Sequence, residues 1–293
     1  MAVTTHIENG YDRNVKTAVA FIDLSSAYDT VWRKGLLLKF LDVIPCKTVL
    51  KLINKMLCNR CFTVYIGEEK RKIKMLNNGL SQDSVLAPLL FNLYIRDLPA
   101  TTARKFIYTD DLVLACQSKN FDDLENILSE DLDILHKFFN QRRLKPNPSK
   151  TEVTFFHLNN RRANQEIWVQ FGEQLVKNNP YPKYLGVVLD RTLTFKNHLA
   201  KLSAKIKTRH SIILKLSGTS WEDNANTLRI TMLSLVYSAA EYCAPVWINS
   251  THTNKLDTQL NSVMRIIGGT LKTTPLKWLP VLSNIAPPRI RRE

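Results

Sequence analysis

Two spacings of apolar residues run through this chain, and the change from one to the other marks its elements. Short runs of β-branched and aromatic residues read as strands at residues 19–22, 106–108, 112–115 and 151–157. Longer stretches repeat at three- and four-residue intervals and read as helices. Trp32, Leu36, Leu37, Phe40 and Leu41 form one such face, and Val49, Leu50, Ile53 and Leu57 form the next, over residues 47–57. Residues 84–97 are largely apolar, with Val85, Leu86, Leu89, Leu90, Leu93 and Tyr94 expected to pack inward. Residues 121–143 carry a sustained stripe of Leu124, Ile127, Leu128, Leu132, Leu135 and Phe139. Residues 62–66 and 72–76, joined by Gly67 to Arg71, read as a hairpin, and Lys145-Pro146-Asn147-Pro148-Ser149 breaks the long helix. Shorter strands are expected at 167–171, 174–176 and 184–189. This irregular alternation fits an α+β fold better than a doubly wound sheet.

The pattern also divides the chain. Residues 1–16 carry little periodicity and read as a lead-in segment, and residues 17–190 hold the mixed helices and strands. Past Asp190 the strand signals nearly vanish. Residues 191–293 hold fifteen Lys or Arg against five acids. Phe195, Leu199, Leu202, Ile206 and Ile213 share one helical face there, with Lys201 and Lys205 pointing away from it. Residues 196–215 contain six Lys or Arg and no acid, which suits either a solvated helix surface or a helix that tracks a nucleic-acid backbone. A helical region is expected over 191–267, followed by a poorly ordered, Pro-containing tail over 268–293.

Composition narrows the field further. With 293 residues and 44% hydrophobic content the chain can bury one large core or two modest ones. Lys and Arg outnumber Asp and Glu by 41 to 26, a net charge of +15, which fits a phosphate backbone as partner, a membrane-surface patch or a solubilising surface. Five cysteines make no disulfide framework and point to a reducing, intracellular compartment, with nucleus and cytoplasm undistinguished. Cys58 and Cys61 have metal-ligand spacing, but no second pair lies nearby to complete four ligands. The longest uncharged apolar window, residues 230–240, falls well short of the roughly 20 residues of a bilayer span. Residues 1–16 are too polar for a signal peptide. No membrane partner is expected.

The candidate chemistry lies in acids at strand ends. Thr109-Asp110-Asp111 separates two short strand runs, the arrangement of a tight hairpin, and the apolar run at 19–22 ends abruptly in Asp23. Acids at turns are also ordinary capping residues. Two strand ends can nevertheless bring three carboxylates together, and such a cluster repels itself unless a hard divalent cation such as Mg²⁺ sits in it.

Three segments carry a family resemblance. Phe21-Ile22-Asp23-Leu24-Ser25-Ser26-Ala27-Tyr28-Asp29, Gly79-Leu80-Ser81-Gln82-Asp83-Ser84-Val85-Leu86-Ala87-Pro88 and Tyr108-Thr109-Asp110-Asp111 resemble, in order, motifs A, B and C of reverse transcriptases. The likeness is to the polymerases of non-LTR retrotransposons of the jockey and BS type, and it runs from about residue 17 to the C-terminus. It implies a right-hand polymerase palm, an antiparallel sheet with helices on one face, followed by a mostly helical thumb. The activity implied is RNA-directed DNA synthesis, with an RNA template, a DNA primer and dNTP as partners and two Mg²⁺ ions, replaceable by Mn²⁺, as cofactor. Asp23 and Asp110 would bridge the metals, with Asp111 adjacent and the Leu24 carbonyl a further ligand. Tyr28 falls where the family sets an aromatic ring under the sugar of the incoming nucleotide, excluding a 2′ hydroxyl. Gln82, with Ser84 in the same motif, falls near nucleotide and template. Lys150 matches the motif D lysine that assists the departing pyrophosphate, and Lys183, Tyr184 and Gly186 resemble the motif E turn that grips the primer.

The chain departs from the family pattern as well. Asp83 stands where motif B usually has glycine, bringing bulk and negative charge toward phosphates. Thr109 replaces a common alanine. The fingers segments that normally precede motif A are largely missing, as is an upstream endonuclease, so the chain reads as palm and thumb of a longer polyprotein. A catalytically silent, nucleic-acid-binding remnant of such an element is the alternative. A structural protein whose acids merely cap turns is a third reading.

Overall fold

The computed structural model describes residues 2–82, 84–218 and 224–293. The chain divides into two compact units, residues 6–179 with Ala2, and residues 180–293 with residues 3–5. The division falls about ten residues before the loss of strand signal, because the short strands at 183–188 belong to the second unit.

In the first unit α1 (Ala2–Asp12), apart from its residues 3–5, leads into β1 (Lys16–Ile22), followed by α2 (Ala27–Thr30), α3 (Arg33–Val43) and α4 (Lys47–Leu57). Four short strands come next: β2 (Arg60–Phe62), β3 (Tyr65–Ile66), β4 (Glu69–Lys70) and β5 (Lys74–Leu76). After them come α5 (Ala87–Tyr94), β6 (Arg104–Tyr108), β7 (Asp111–Ser118), α6 (Phe121–Gln141) and β8 (Glu152–Phe156). The strands β9 (Gln170–Phe171), β10 (Gln174–Leu175) and β11 (Lys177–Asn178) close the unit. The expected hairpin at 62–76 is two nested pairs, β2 with β5 and β3 with β4.

A five-stranded sheet, ordered β11-β8-β1-β7-β6, is the centre of this unit. Its pairings are antiparallel except that β11 runs parallel to β8. The central strand β1 is buried on both faces, as its nearly unbroken apolar run requires. Ala18, Ala20 and Ile22 face one side, where they join Leu112, Leu114 and the Leu124, Leu128, Leu132 and Leu135 stripe of α6 in a single core. The other side, with Thr17 and Val19, also needs cover, and α1 supplies some of it. The His6 carbonyl accepts from Gln117 Nε2 at 2.6 Å, and the His6 ring lies 5.7 Å from that of Phe106. Helices therefore lie on both faces rather than one. Residues 1–16, read as a lead-in, contain a helix and the start of the central strand.

Within 84–97 the inward packing holds only in part. Leu90 and Tyr94 are buried, but Val85 is 94% exposed and Leu89 65% exposed. An apolar stretch with no polar face does not mark which side turns inward.

The second unit begins with the hairpin β12 (Lys183–Tyr184) and β13 (Val187–Val188) and is otherwise helical: α7 (Lys196–Leu216), α8 (Ala225–Met232), α9 (Ser238–Ala240), α10 (Ala244–Trp247), α11 (Asn254–Ile267), α12 (Leu279–Ser283) and α13 (Pro288–Arg292). Asp190 organises the start of α7. Its carboxylate accepts from the backbone N–H of Thr194 at 2.9 Å and of Phe195 at 2.6 Å, satisfying donors at the helix start. The expected apolar face of α7 is present, with Leu199, Leu202, Ile206 and Ile213 buried. The tail is not loose: Leu279 and Ile285 are buried, Arg291 pairs with Glu241, and Arg292 donates to Asp257 at 2.9 Å. Two buried apolar anchors and two ion pairs offset the ordering cost of this Pro-containing segment. Among the described residues, no helix is long and apolar enough to cross a membrane.

Candidate active site

The register of the sheet brings the motif acids to one end. Ile22 pairs with Leu112, so the next step outward sets Asp23 across from Asp111, on the same face by strand alternation. On the other side of β7, Tyr108 pairs with Asp111, which leaves Thr109 and Asp110 as a two-residue turn. Asp111 is thus the first residue of a strand, not part of the turn. Thr109 has φ of 54°, a left-handed conformation that a β-branched residue rarely adopts. Its hydroxyl has two acceptors within reach, the Tyr108 carbonyl at 2.7 Å and the Asp110 carboxylate at 2.9 Å.

Asp111 feels the other two carboxylates. Desolvation raises the Asp111 pKa, and the charges of Asp110 and Asp23 raise it further. Oxygen donors in mutual repulsion are the chemistry a hard cation relieves. Among the described residues, however, no three His, Cys, Asp or Glu side chains are grouped closely enough to hold one ion. The acids converge without forming a closed cage.

Around them the chain is held by backbone bonds. The Asp23 N–H donates to Thr151 Oγ1 at 3.3 Å, its carbonyl accepts from Asn147 N–H at 2.9 Å, and Leu24 bridges to Pro146. The segment 145–151 is therefore strapped to the end of β1, and Lys150 stands exposed in its turn. Tyr28 packs its ring 5.0 Å from that of Phe91. Desolvation raises its pKa, the Asp110 charge adds to this, and a hydrogen bond with Thr109 opposes it, so the ring lies beside the motif C turn.

Motif B lies against motif A. Leu80 N–H donates to the Tyr28 carbonyl at 2.8 Å, and Gln82 Nε2 donates to Asp29 at 2.9 Å. Gly79, at φ of 83°, is so close that an added Cβ would lie 2.7 Å from the Asp29 carbonyl. Buried Arg33 ties this segment down, donating to the carbonyls of Gly79, Leu76 and Asn78 at 2.9, 2.7 and 2.9 Å. Ser84 precedes α5, its carbonyl accepting from Ala87 N–H at 3.0 Å. Asp83 lies outside the described residues. Sequence reasoning missed Arg33, Thr151 and Asp29 as organisers of the site. Asp29 stood within motif A, but no pattern marked the other two.

Lys183, Tyr184 and Gly186 are in the second unit. Leu185 and Gly186 both have positive φ, the pattern of a type I′ hairpin turn, and Tyr242 Oη donates to the Leu185 carbonyl at 3.1 Å. Beside this turn a cavity of about 620 Å³ is lined by Lys183, Lys201, Lys205 and Arg209, with no acid among its lining residues.

Comparison with known proteins gives the family. The family described as reverse transcriptase (RNA-dependent DNA polymerase) matches residues 4–189, well over half the chain. This chain belongs to the reverse transcriptase family. It is 30% identical over 212 residues to the RNA-directed DNA polymerase from mobile element jockey of Drosophila melanogaster, covering 69% of this chain and 22% of that protein. It is 26% identical over 284 residues to the probable RNA-directed DNA polymerase from transposon BS of the same species, covering 90% and 30%. The chain thus spans less than a third of the length of these retrotransposon reverse transcriptases. Among solved structures, a telomerase from Candida albicans, in complex with a telomeric RNA fragment, covers 95% of this chain and 52% of its own, at 11% identity and a TM-score of 0.36.

Proposed function

We propose that this chain is the palm and thumb of an RNA-directed DNA polymerase, joining a deoxynucleotide to a primer 3′ hydroxyl on an RNA template. The observation that carries the reading is the cross-strand approach of Asp23 to Asp111 beside the Asp110 turn, with Tyr28 next to that turn. In this reading the first unit is the palm and the second the thumb. Asp23, Asp110 and Asp111, with the Leu24 carbonyl, would hold Mg²⁺, or Mn²⁺ in its place. When bound, the metal neutralises charge on the transferring phosphate and lowers the pKa of the attacking hydroxyl.

The remaining roles belong to the chain itself. Tyr28, packed on Phe91, presents its ring to the sugar of the incoming nucleotide and excludes a 2′ hydroxyl. Gln82, held by Asp29, donates and accepts at the nucleotide and template, with Ser84 beside it. Lys150 neutralises the leaving pyrophosphate from a turn strapped to the strand that carries Asp23. Lys183, Tyr184 and Gly186, with the cations of α7, grip the primer backbone. The test is Mg²⁺-dependent extension of a DNA primer annealed to RNA. Asp110→Asn is expected to reduce extension by about 10²- to 10³-fold or more with an unchanged thermal melt. Extension at the parent rate would overturn the assignment.

A further inference from the structure

The end of the sheet opposite the motif acids holds a second concentration of charge. β1 runs from Lys16 to Ile22 before reaching Asp23, which puts Lys16 about 23 Å from the acids at roughly 3.3 Å per residue. Lys16 pairs with Ser118, and Thr17 with Phe156, so the ends of three strands meet there. They enclose a cavity of about 640 Å³ whose lining includes Arg13, Lys16, Lys119, Tyr11 and His157, and no acid.

The cavity is built rather than incidental. The turn that brings Arg13 to its rim closes α1 with a left-handed Asn14 at φ of 53°, the Asn14 and Val15 N–H groups donating to the carbonyls of Tyr11 at 3.0 Å and Gly10 at 2.9 Å. Lys16 donates to the Lys119 carbonyl and stands 4.7 Å above the Phe121 ring, and Arg162 sits 5.3 Å from the same ring. The His157 ring meets Phe121 edge-on at 5.6 Å. The nearest carboxylate along the chain from Lys119, that of Asp122, is not in the lining, and Asp123 is engaged by Ser118 at 2.8 Å and Asn120 at 3.1 Å. Three cations brought together with no acid in the lining, beside the amides of Asn14 and Asn159, match the phosphodiesters of a nucleic-acid strand. The volume is that of a site for one or two nucleotides and is too small for a duplex.

We propose that this cavity is a second nucleic-acid site, holding a single strand through its phosphodiesters at the end of the sheet away from the motif acids. The test uses the full chain and a 4-thiouridine-containing oligoribonucleotide, photo-cross-linked and mapped by peptide mass spectrometry. A thiothymidine oligodeoxynucleotide serves as a parallel arm. Adducts are expected on residues 11–16 or 157–159, and the charge reversal Arg13→Glu with Lys119→Glu, both at exposed positions, is expected to abolish them. The same double variant should lower the slope of log affinity against log salt by about 1.4, two phosphate contacts at about 0.7 each. Primer extension on a short annealed primer-template should be unchanged, which separates this site from the polymerase reading. Adducts confined to other segments, or undiminished by the reversal, would overturn the proposal. So would protection of these segments from hydrogen exchange by free UTP and not by either oligonucleotide.

Discussion

The two ends of the central sheet gather opposite charge by opposite means. At one end Asp23, Asp110 and Asp111 converge, desolvation and then the charges of Asp110 and Asp23 raise the Asp111 pKa, and Thr109 is held in a left-handed turn. Few side-chain partners offset that crowding. Instead the surrounding backbone is fixed, by Thr151 and Asn147 on Asp23 and by Arg33 on the motif B carbonyls. At the other end Lys16 and Arg162 stack on the Phe121 ring, so an aromatic face accommodates the cations. A five-stranded sheet is rigid enough to hold like charges at its rims, and the cost is spread over the core between them. Each rim thereby presents charge of one sign.

Breaking the scaffold of the acid end should have the largest effect on stability. Arg33→Met removes three charge-assisted bonds, one of them to the carbonyl of buried Gly79, and is expected to cost about 3 kcal/mol, read as a lower urea midpoint. An unchanged midpoint would mean that the motif B segment is held by Gly79 packing alone. At the cation end Phe121→Leu keeps an apolar side chain and loses the ring. A loss of about 1 kcal/mol is expected, with the larger part gone at high salt if the two cations carry it. A loss that does not depend on salt would assign the effect to packing against Phe155, 4.8 Å away.

The smallest effect is the most specific to the comparison. Because its pKa is raised on folding, Asp111 contributes stability that is fully present below its unfolded pKa and lost as pH rises through the folded value. Asp111→Asn removes that dependence. The variant should therefore gain on the parent as pH increases from about 3.5 to about 7, measured as the difference in urea midpoints. A constant difference across that range would show that folding does not raise the Asp111 pKa, whether by desolvation or by its neighbours.

Much of this was readable in advance where the pattern was strong. The helix at 47–57, the stripe of α6 and the strand ending at Asp23 each combine a clear period with a definite stop, and each lies where its residues imply. Weak or uniform patterns failed. The helix α1 was missed because Val3, Ile7 and Gly10 are too few and too small to mark a face among polar neighbours. The apolar run at 84–97 misled because every side of it was greasy, and the tail because its anchors, Glu241 and Asp257, are distant in sequence.

By itself the sequence determined the candidate residues: the acids of motifs A and C, their order, and the excess of positive charge were all local and visible. Only the tertiary structure decided that Asp23 stands across from Asp111, that Arg33 fastens motif B, and that Arg13, Lys16 and Lys119 surround one cavity. Strand register and the meeting of strand ends depend on contacts between residues as many as a hundred positions apart. No local propensity encodes those distances; they are set when apolar faces on both sides of β1 are buried together.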